Sequence, residues 1–329
     1  MLLCGAGGFA VVDVKRRKSL ELRRHLAVKK FLKNLWSGRG LGWRVPRVLL
    51  VVVVVLLGLI MAFEDSLIYF PSKYPDGYWD VDNIPSREGE VVPKIEDCNF
   101  ETSDGVKLHG WYCSPHRKFG GALVPVPVEM TLLWFHGNAG NISYRYEMIR
   151  AFMRLPVRVF IIDYRGYGKS DGKPSEAGLY LDARAAWDYL VHERHEVPER
   201  IIIFGKSLGG APAVDLATHV DPAGLIVQSS FTSAGDMAAA VLPFLPRAIL
   251  RTRMDSLGKI ASVRCPKLFI HSQADEVVPY DLGRRLFETA HEPKVFHEVM
   301  GSPHNSTYLV GGASYVDALR SFIESCRRS

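Results

Sequence analysis

Arg200–Gly210, RIIIFGKSLGG, is the stretch on which the fold turns. Its first half is a β-branched apolar run of the kind that forms a strand buried on both faces. It collapses without a spacer into Gly205-Lys206-Ser207-Leu208-Gly209. This is the G-x-S-x-G order, in which a strand ends, the chain turns sharply and a serine is left at the apex with a helix starting behind it. Strand and helix approach closely at the positions two before and two after that serine, and both positions are glycine. The next residues, APAVDLATHV, carry Ala, Val and Leu at helical spacing. Leu208 falls in the first turn of that helix, where its N–H has no intrahelical acceptor and can face a developing oxyanion. A phosphate loop is the competing reading, because Gly-Lys-Ser occurs at both 168–170 and 205–207. It fails on spacing: the glycine required five positions before each Gly-Lys pair is replaced by Asp163 and Arg200.

On either side of this stretch the chain alternates. Apolar runs at 131–136, 158–163, 200–205, 224–228, 267–272 and 295–300 are separated by helical patterns near 142–154, 175–194, 207–219, 281–291 and 314–326. Such alternation predicts an α/β fold with a mostly parallel sheet and helices on both faces, over residues 97–329. An antiparallel hairpin, DCNFETSDGVKLHGWYC, precedes it with an apparent two-residue turn at Asp104-Gly105. That turn sets Cys98 opposite Trp111, so a Cys98–Cys113 bridge would be diagonal and is not favoured. Residues 229–263 exceed a simple connection and fit either a small helical cap or a crossover helix pair.

A serine nucleophile needs a base and an orienting acid, which in this kind of sheet follow it in the order acid, then histidine, each after a later strand. Asp275 lies just after the strand KLFIHS, and His304 lies in the loop GSPHNST after the last strand. Glu276 and Asp236 are the rival acids; Glu276 diverges from its neighbour, and Asp236 follows the preceding strand. Among the eleven histidines, His192 and His195 sit in a charged helical stretch, and His109, His271 and His297 fall within strands as packing residues. No cluster has metal-ligand spacing, and no cofactor is implied. The second oxyanion donor is expected from the small, turn-prone loop His136-Gly137-Asn138-Ala139-Gly140-Asn141, as the backbone N–H of Asn138, with His136 structural.

The N-terminal region is of another kind. Residues 1–47 hold twelve Lys or Arg against Asp13 and Glu21, a balance of +10 within a total of +6, so the other 282 residues carry −4. The basic balance belongs to this tail and does not point to nucleic acid. Val48–Phe63 is sixteen uncharged apolar residues between Arg47 and Glu64, read as a transmembrane helix, with residues 64–96 a connector. No small-x-small cleavage site follows it, which favours an uncleaved anchor over a signal peptide. The positive-inside rule leaves the N-terminus in the cytoplasm and the domain after residue 64 extracytoplasmic, that is periplasmic, lumenal or exterior. Within the leader, residues 22–35 interleave Leu and Phe with Arg and Lys, as a helix lying on anionic lipid would. Cys4 lies on the cytoplasmic side.

Taken in order, HGNAGN, DYRGYGKSDGKPSEAGLYLDA, FGKSLGGA, ADEVVP and SPHN resemble the membrane-anchored branch of the α/β-hydrolase-domain family, across roughly residues 95–326. That branch includes acyl-protein thioesterases and lysophospholipid or acylglycerol lipases, and stands near serine aminopeptidase-like hydrolases. The resemblance implies Ser207 as nucleophile, Asp275 as acid, His304 as base and Asn138 with Leu208 as oxyanion donors. It also implies a structural ion pair for Arg165. Two departures stand out: Ser272 replaces the glycine usual before the acid turn, and a transmembrane anchor replaces the lipidated Cys-rich N-terminus of the thioesterases. The expectation is a membrane-anchored serine hydrolase acting on an ester or thioester, with the bilayer and a small-molecule or lipid ester as partners. A serine peptidase and a silent binding module on the same scaffold are the alternatives.

Overall fold

The computed structural model describes Leu26, Lys29, Lys30 and residues 41–81, 84–245 and 249–327, in two units, Met1–Ala62 and Phe63–Ser329. In the first unit, helix α1 (Leu41–Ala62) is long and apolar enough over Val45–Ala62 to cross a membrane, and none of that stretch is buried. A helix apolar all round has no polar face to show to water, which fits a bilayer. The lipid-surface reading of residues 22–35 falls outside the described residues except at Leu26, Lys29 and Lys30, which are helical and exposed; Cys4 also lies outside them.

The second unit begins with the short helix α2 (Glu64–Ile68) and the hairpin β1 (Val91–Glu101) and β2 (Lys107–Phe119), followed by β3 (Ala122–Pro125). Then come β4 (Met130–Phe135), α3 (Tyr146–Phe152), β5 (Val157–Asp163), α4 (Glu176–Asp188), β6 (Ile201–Lys206) and α5 (Gly210–Ala217). The rest is β7 (Gly224–Gln228), α6 (Ala234–Val241), α7 (Ser256–Ile260), β8 (Lys267–His271), α8 (Tyr280–Thr289), β9 (Lys294–Glu298) and α9 (Thr307–Arg327). One sheet has the order β1-β2-β5-β4-β6-β7-β8-β9, with β3 on β2. From β5 to β9 along that order the strands are parallel, and β1 and β2 are antiparallel.

Two apolar layers explain the near-continuous hydrophobic strands. Along β6, Ile201 and Ile203 pack into one layer with Leu179 and Leu216, and Ile202 and Phe204 into the other with Phe152 and Ile323. The chain passes from β4 to β5 on one side and then to β6 on the other, so the order reverses at β4. In such a sheet the ligand crevice opens beyond the C-terminal ends of the strands at that reversal, here β4 and β6.

The structure departs from the sequence reading in three places. The hairpin closes through residues 102–106, with Thr102 N–H donating to the Val106 carbonyl at 3.0 Å, and Cys98 therefore faces Gly110 instead of Trp111. Arg165 reaches into this loop to hold Asp104, which favours the wider turn. Cys98 and Cys113 are both free. Strand β1 begins at Val91, so the last residues taken for connector belong to the sheet. Helix α9 begins at Thr307 and breaks its regular conformation at Gly312 (φ 49°), where paired glycines masked the helical pattern.

Candidate active site

Ser207 has φ 54°, in the left-handed region that a residue with a side chain rarely occupies. The strain is held from all sides. A Cβ on Gly205 would stand 2.5 Å from the Gly209 carbonyl oxygen, and one on Gly209 would collide with the Phe135 carbonyl. Only hydrogen at both positions lets β6, β4 and the start of the helix meet. Ser230 Oγ donates to the Ser207 carbonyl at 2.9 Å, a brace the sequence reading did not single out. Leu208 lies second in the helical turn Ser207–Gly209 that leads into α5, so its N–H belongs to the unpaired first turn.

Asp275 and His304 come together from the loops after β8 and β9. His304 Nδ1 lies 3.0 and 2.8 Å from the two Asp275 carboxylate oxygens, and both side chains are buried. Burial alone would raise the Asp275 pKa, but His271, His304 and the Val278 N–H drive it below the usual carboxylate range. An ionised carboxylate only accepts, so Nδ1 is the donor, and Nε2 is the nitrogen turned away from the acid. Glu276, the rival acid, instead accepts the His304 backbone N–H at 3.0 Å, and Asp236 pairs with Thr232 and Arg285. Ser272 Oγ accepts from Ala274 and Ser302 N–H, both at 3.1 Å, so the residue that replaces the usual glycine ties the acid loop to the histidine loop. Ser207 Oγ has no hydrogen bond to His304: the structure joins acid to histidine and sets the serine at the end of a strand two places along the sheet.

The loop after β4 approaches from the other side, and a Cβ on Gly137 would lie 3.4 Å from Ser207 Cβ. The Asn138 side chain is committed elsewhere. Its Oδ1 accepts from Phe70 N–H and Tyr167 Oη, each at 3.2 Å, and its Nδ2 donates to the Ile68 carbonyl. Gly140 exchanges backbone bonds of 3.1 Å with Phe70 and Ser72, and Gly168 does the same with Ser72 and Tyr74 at 2.9 and 3.0 Å. Residues 68–74 thus form a strap stitched to the loop after β4 and to the turn after β5. Glu64, just before it, is buried and accepts from Arg251 N–H at 3.0 Å and Thr252 N–H at 2.7 Å. In the sequence this whole segment reads only as a Pro- and Tyr-rich connector.

Charge is distributed unevenly around the site. Arg165 forms a two-pronged pair with Asp104 (2.8 and 2.9 Å) and donates from Nε and its backbone N to Asp182, both at 2.8 Å. Lys206, next to Ser207, has no ion-pair or hydrogen-bond partner among the described residues although it is 7% exposed. Burial, with Arg145 adding repulsion and Asp275 opposing it, pulls its pKa down to about 8. Arg145 bonds the Gly137 and Ala139 carbonyls, and its Nε is buried without an acceptor. Beside it, burial first and then Arg145 lower the His136 pKa to about 3, so that ring is neutral, with Nδ1 donating to the Gly137 carbonyl at 2.6 Å.

Residues 127–255 match the family model described as serine aminopeptidase, S33. Over 280 residues the chain is 40% identical to an uncharacterized protein of Mycobacterium tuberculosis, covering 84% of this chain and 94% of that one. It is 34% identical to the alpha/beta hydrolase domain-containing protein WAV2 of Arabidopsis thaliana, covering 83% of this chain and 91% of that protein. Among solved structures, a Pyrococcus furiosus esterase superposes with a TM-score of 0.60 at 20% identity, over 78% of this chain and 98% of the esterase, a likeness of fold.

Proposed function

The chain belongs to the α/β-hydrolase-domain family, and from that membership we propose that it is a membrane-anchored serine hydrolase cleaving a carboxylic ester or thioester through an acyl-enzyme. The observation that carries the reading is the strained Ser207 at the crevice with a buried, proton-directing His304–Asp275 pair on the same edge of the sheet. Ser207 Oγ attacks the carbonyl carbon as His304 Nε2 takes its proton, and the carbonyl π pair moves onto oxygen. The Leu208 and Asn138 N–H groups receive that oxyanion. Its collapse expels the alkoxide or thiolate, which takes the proton from His304, and water repeats the sequence to release the acid. Free-enzyme hydrogen bonds in such sites commonly close only when substrate arrives, so the open Ser207–His304 contact agrees with the scheme.

The test is hydrolysis of a p-nitrophenyl acyl ester by the full chain in detergent, beside Ser207→Ala. Turnover that disappears in the variant supports the nucleophile, and turnover that persists rejects it. The serine aminopeptidase description of the matched model favours a second reading, peptide-bond cleavage. An aminoacyl-anilide presented beside the ester separates the two, and turnover of the anilide alone would reverse their order. The domain is assigned to the extracytoplasmic side by the +10 balance before the apolar helix and the acidic pair Glu64 and Asp65 after it. Protease applied to intact cells or spheroplasts should digest it; protection until permeabilisation, for a domain shown to be cleavable, would move catalysis to the other side.

A further inference from the structure

A lysine side chain that is only 7% exposed is costly to keep without a counter-charge. Arg165, equally buried at 7% exposure, has two carboxylates. Lys206 has none among the described residues, and the one carboxylate that acts on it, Asp275, is already occupied by His304 and His271. Arg145, the other charge acting on Lys206, is a second cation whose contacts are with carbonyls and whose Nε has no acceptor. One cation thus precedes the residue read as nucleophile, and the other holds the loop whose Gly137 lies against Ser207, with no carboxylate paired to either among the described residues. Hydrophobic residues of similar volume would serve packing better than an unpaired lysine.

Resting on the serine-hydrolase reading above, we propose that Lys206, reinforced by Arg145, is the binding site for an anionic group, a carboxylate or a phosphate, carried by the substrate close to the bond that is cut. The counter-charge that Lys206 lacks arrives with the ligand. Recognition then works by desolvation: a neutral ester covers the lysine without pairing it, and an anionic one supplies its counter-charge. Lysine fits this role as a compact point charge that does not demand the planar geometry an arginine would impose.

Matched ester pairs test the assignment with the full chain in detergent. Mono-4-nitrophenyl adipate against its methyl ester places the charge on the acyl side. 4-Acetoxybenzoate and 4-acetoxyphenyl phosphate, against methyl 4-acetoxybenzoate, place a carboxylate or a phosphate on the leaving side. At least one anionic member is expected to have a kcat/KM about tenfold above its neutral partner, with the preference collapsing to about one in Lys206→Met and partly kept in Lys206→Arg. Arg145→Lys should reduce the preference less than Lys206→Met does. Labelling by a neutral fluorophosphonate reports on folding and on Ser207 independently of substrate charge. Labelling with equal turnover of charged and neutral esters, or a preference that survives Lys206→Met, overturns this proposal alone. Failure of wild type and Lys206→Met alike to label at Ser207 overturns the nucleophile reading, and this proposal with it.

Discussion

The strand ends on either side of β4 are finished in opposite ways. After β5, Arg165 is locked between Asp104 and Asp182, Asp163 accepts from the Ile142 N–H at 3.0 Å and faces His109 at 3.0 Å, and the ends of the polar side chains are used up. After β6, a serine sits in a strained conformation and the lysine beside it is buried to the same extent with no partner among the described residues. A cluster that is internally complete holds the fold and offers a ligand nothing. One left incomplete, at a cost in stability, is the better candidate for chemistry or binding. The comparison also explains why the two Gly-Lys-Ser stretches differ in meaning: at 168–170 Lys169 pairs with Asp97 and Ser170 Oγ donates to the Asp163 carbonyl, so both side chains are structural.

The largest effect is expected at the incomplete corner. His304→Ala should lower kcat roughly 10^4-fold while leaving the unfolding midpoint nearly unchanged, as measured by ester turnover beside urea denaturation. A loss of activity no greater than the loss of folded protein would place His304 among the structural residues.

At the complete corner the balance should invert. Arg165→Met strands the wholly buried Asp182, for a loss of about 3–5 kcal/mol in urea unfolding, with kcat per folded molecule changed only a few-fold. A stable but inactive variant would erase the distinction between the corners.

Lys206→Met is expected to move stability the other way. The folded-state pKa of Lys206 is pulled down from 10.5 to about 8, by burial first and then by Arg145, so the folded chain holds this proton less tightly than the unfolded chain. Its penalty is full below about 8, is relieved as pH rises from about 8 to about 10.5, and amounts to on the order of 3 kcal/mol. Lys206→Met should therefore be more stable at pH 7 and lose that part of the rise between those pH values. A less stable variant would make Lys206 a packing residue like any other.

The smallest effect concerns the strap. Asn138→Ala frees the loop after β4 from Ile68 and Phe70, and kcat should fall roughly 10- to 100-fold with KM nearly constant, since the loop's N–H is misplaced without being removed. Equal changes in both parameters would mean that the strap shapes the substrate site instead.

The sheet and the order Ser207, Asp275, His304 were legible because each candidate follows an apolar run, and strands buried on both faces leave an unbroken hydrophobic signature. What escaped depends on distant parts of the chain. Nothing near residue 138 announces that its amide will read the backbone of Ile68 and Phe70, and the isolation of Lys206 becomes visible only once every neighbouring carboxylate has found another partner. The hairpin register slipped by one because Asp104-Gly105 suits a tight turn locally, and the pull of Arg165 on Asp104 is a tertiary effect. Ser230 was passed over, and Ser272 was noted only for the glycine it replaces, for a similar reason: a hydroxyl that braces a neighbouring loop has no periodicity to reveal it.

Site-resolved labelling bears most directly on the central claim. The full chain, treated with a fluorophosphonate and digested, should give by tandem mass spectrometry one adduct, on the peptide containing Ser207, and Ser207→Ala should give none. An adduct on Ser229 or Ser230 beside it, or undiminished labelling of Ser207→Ala, would contradict the account.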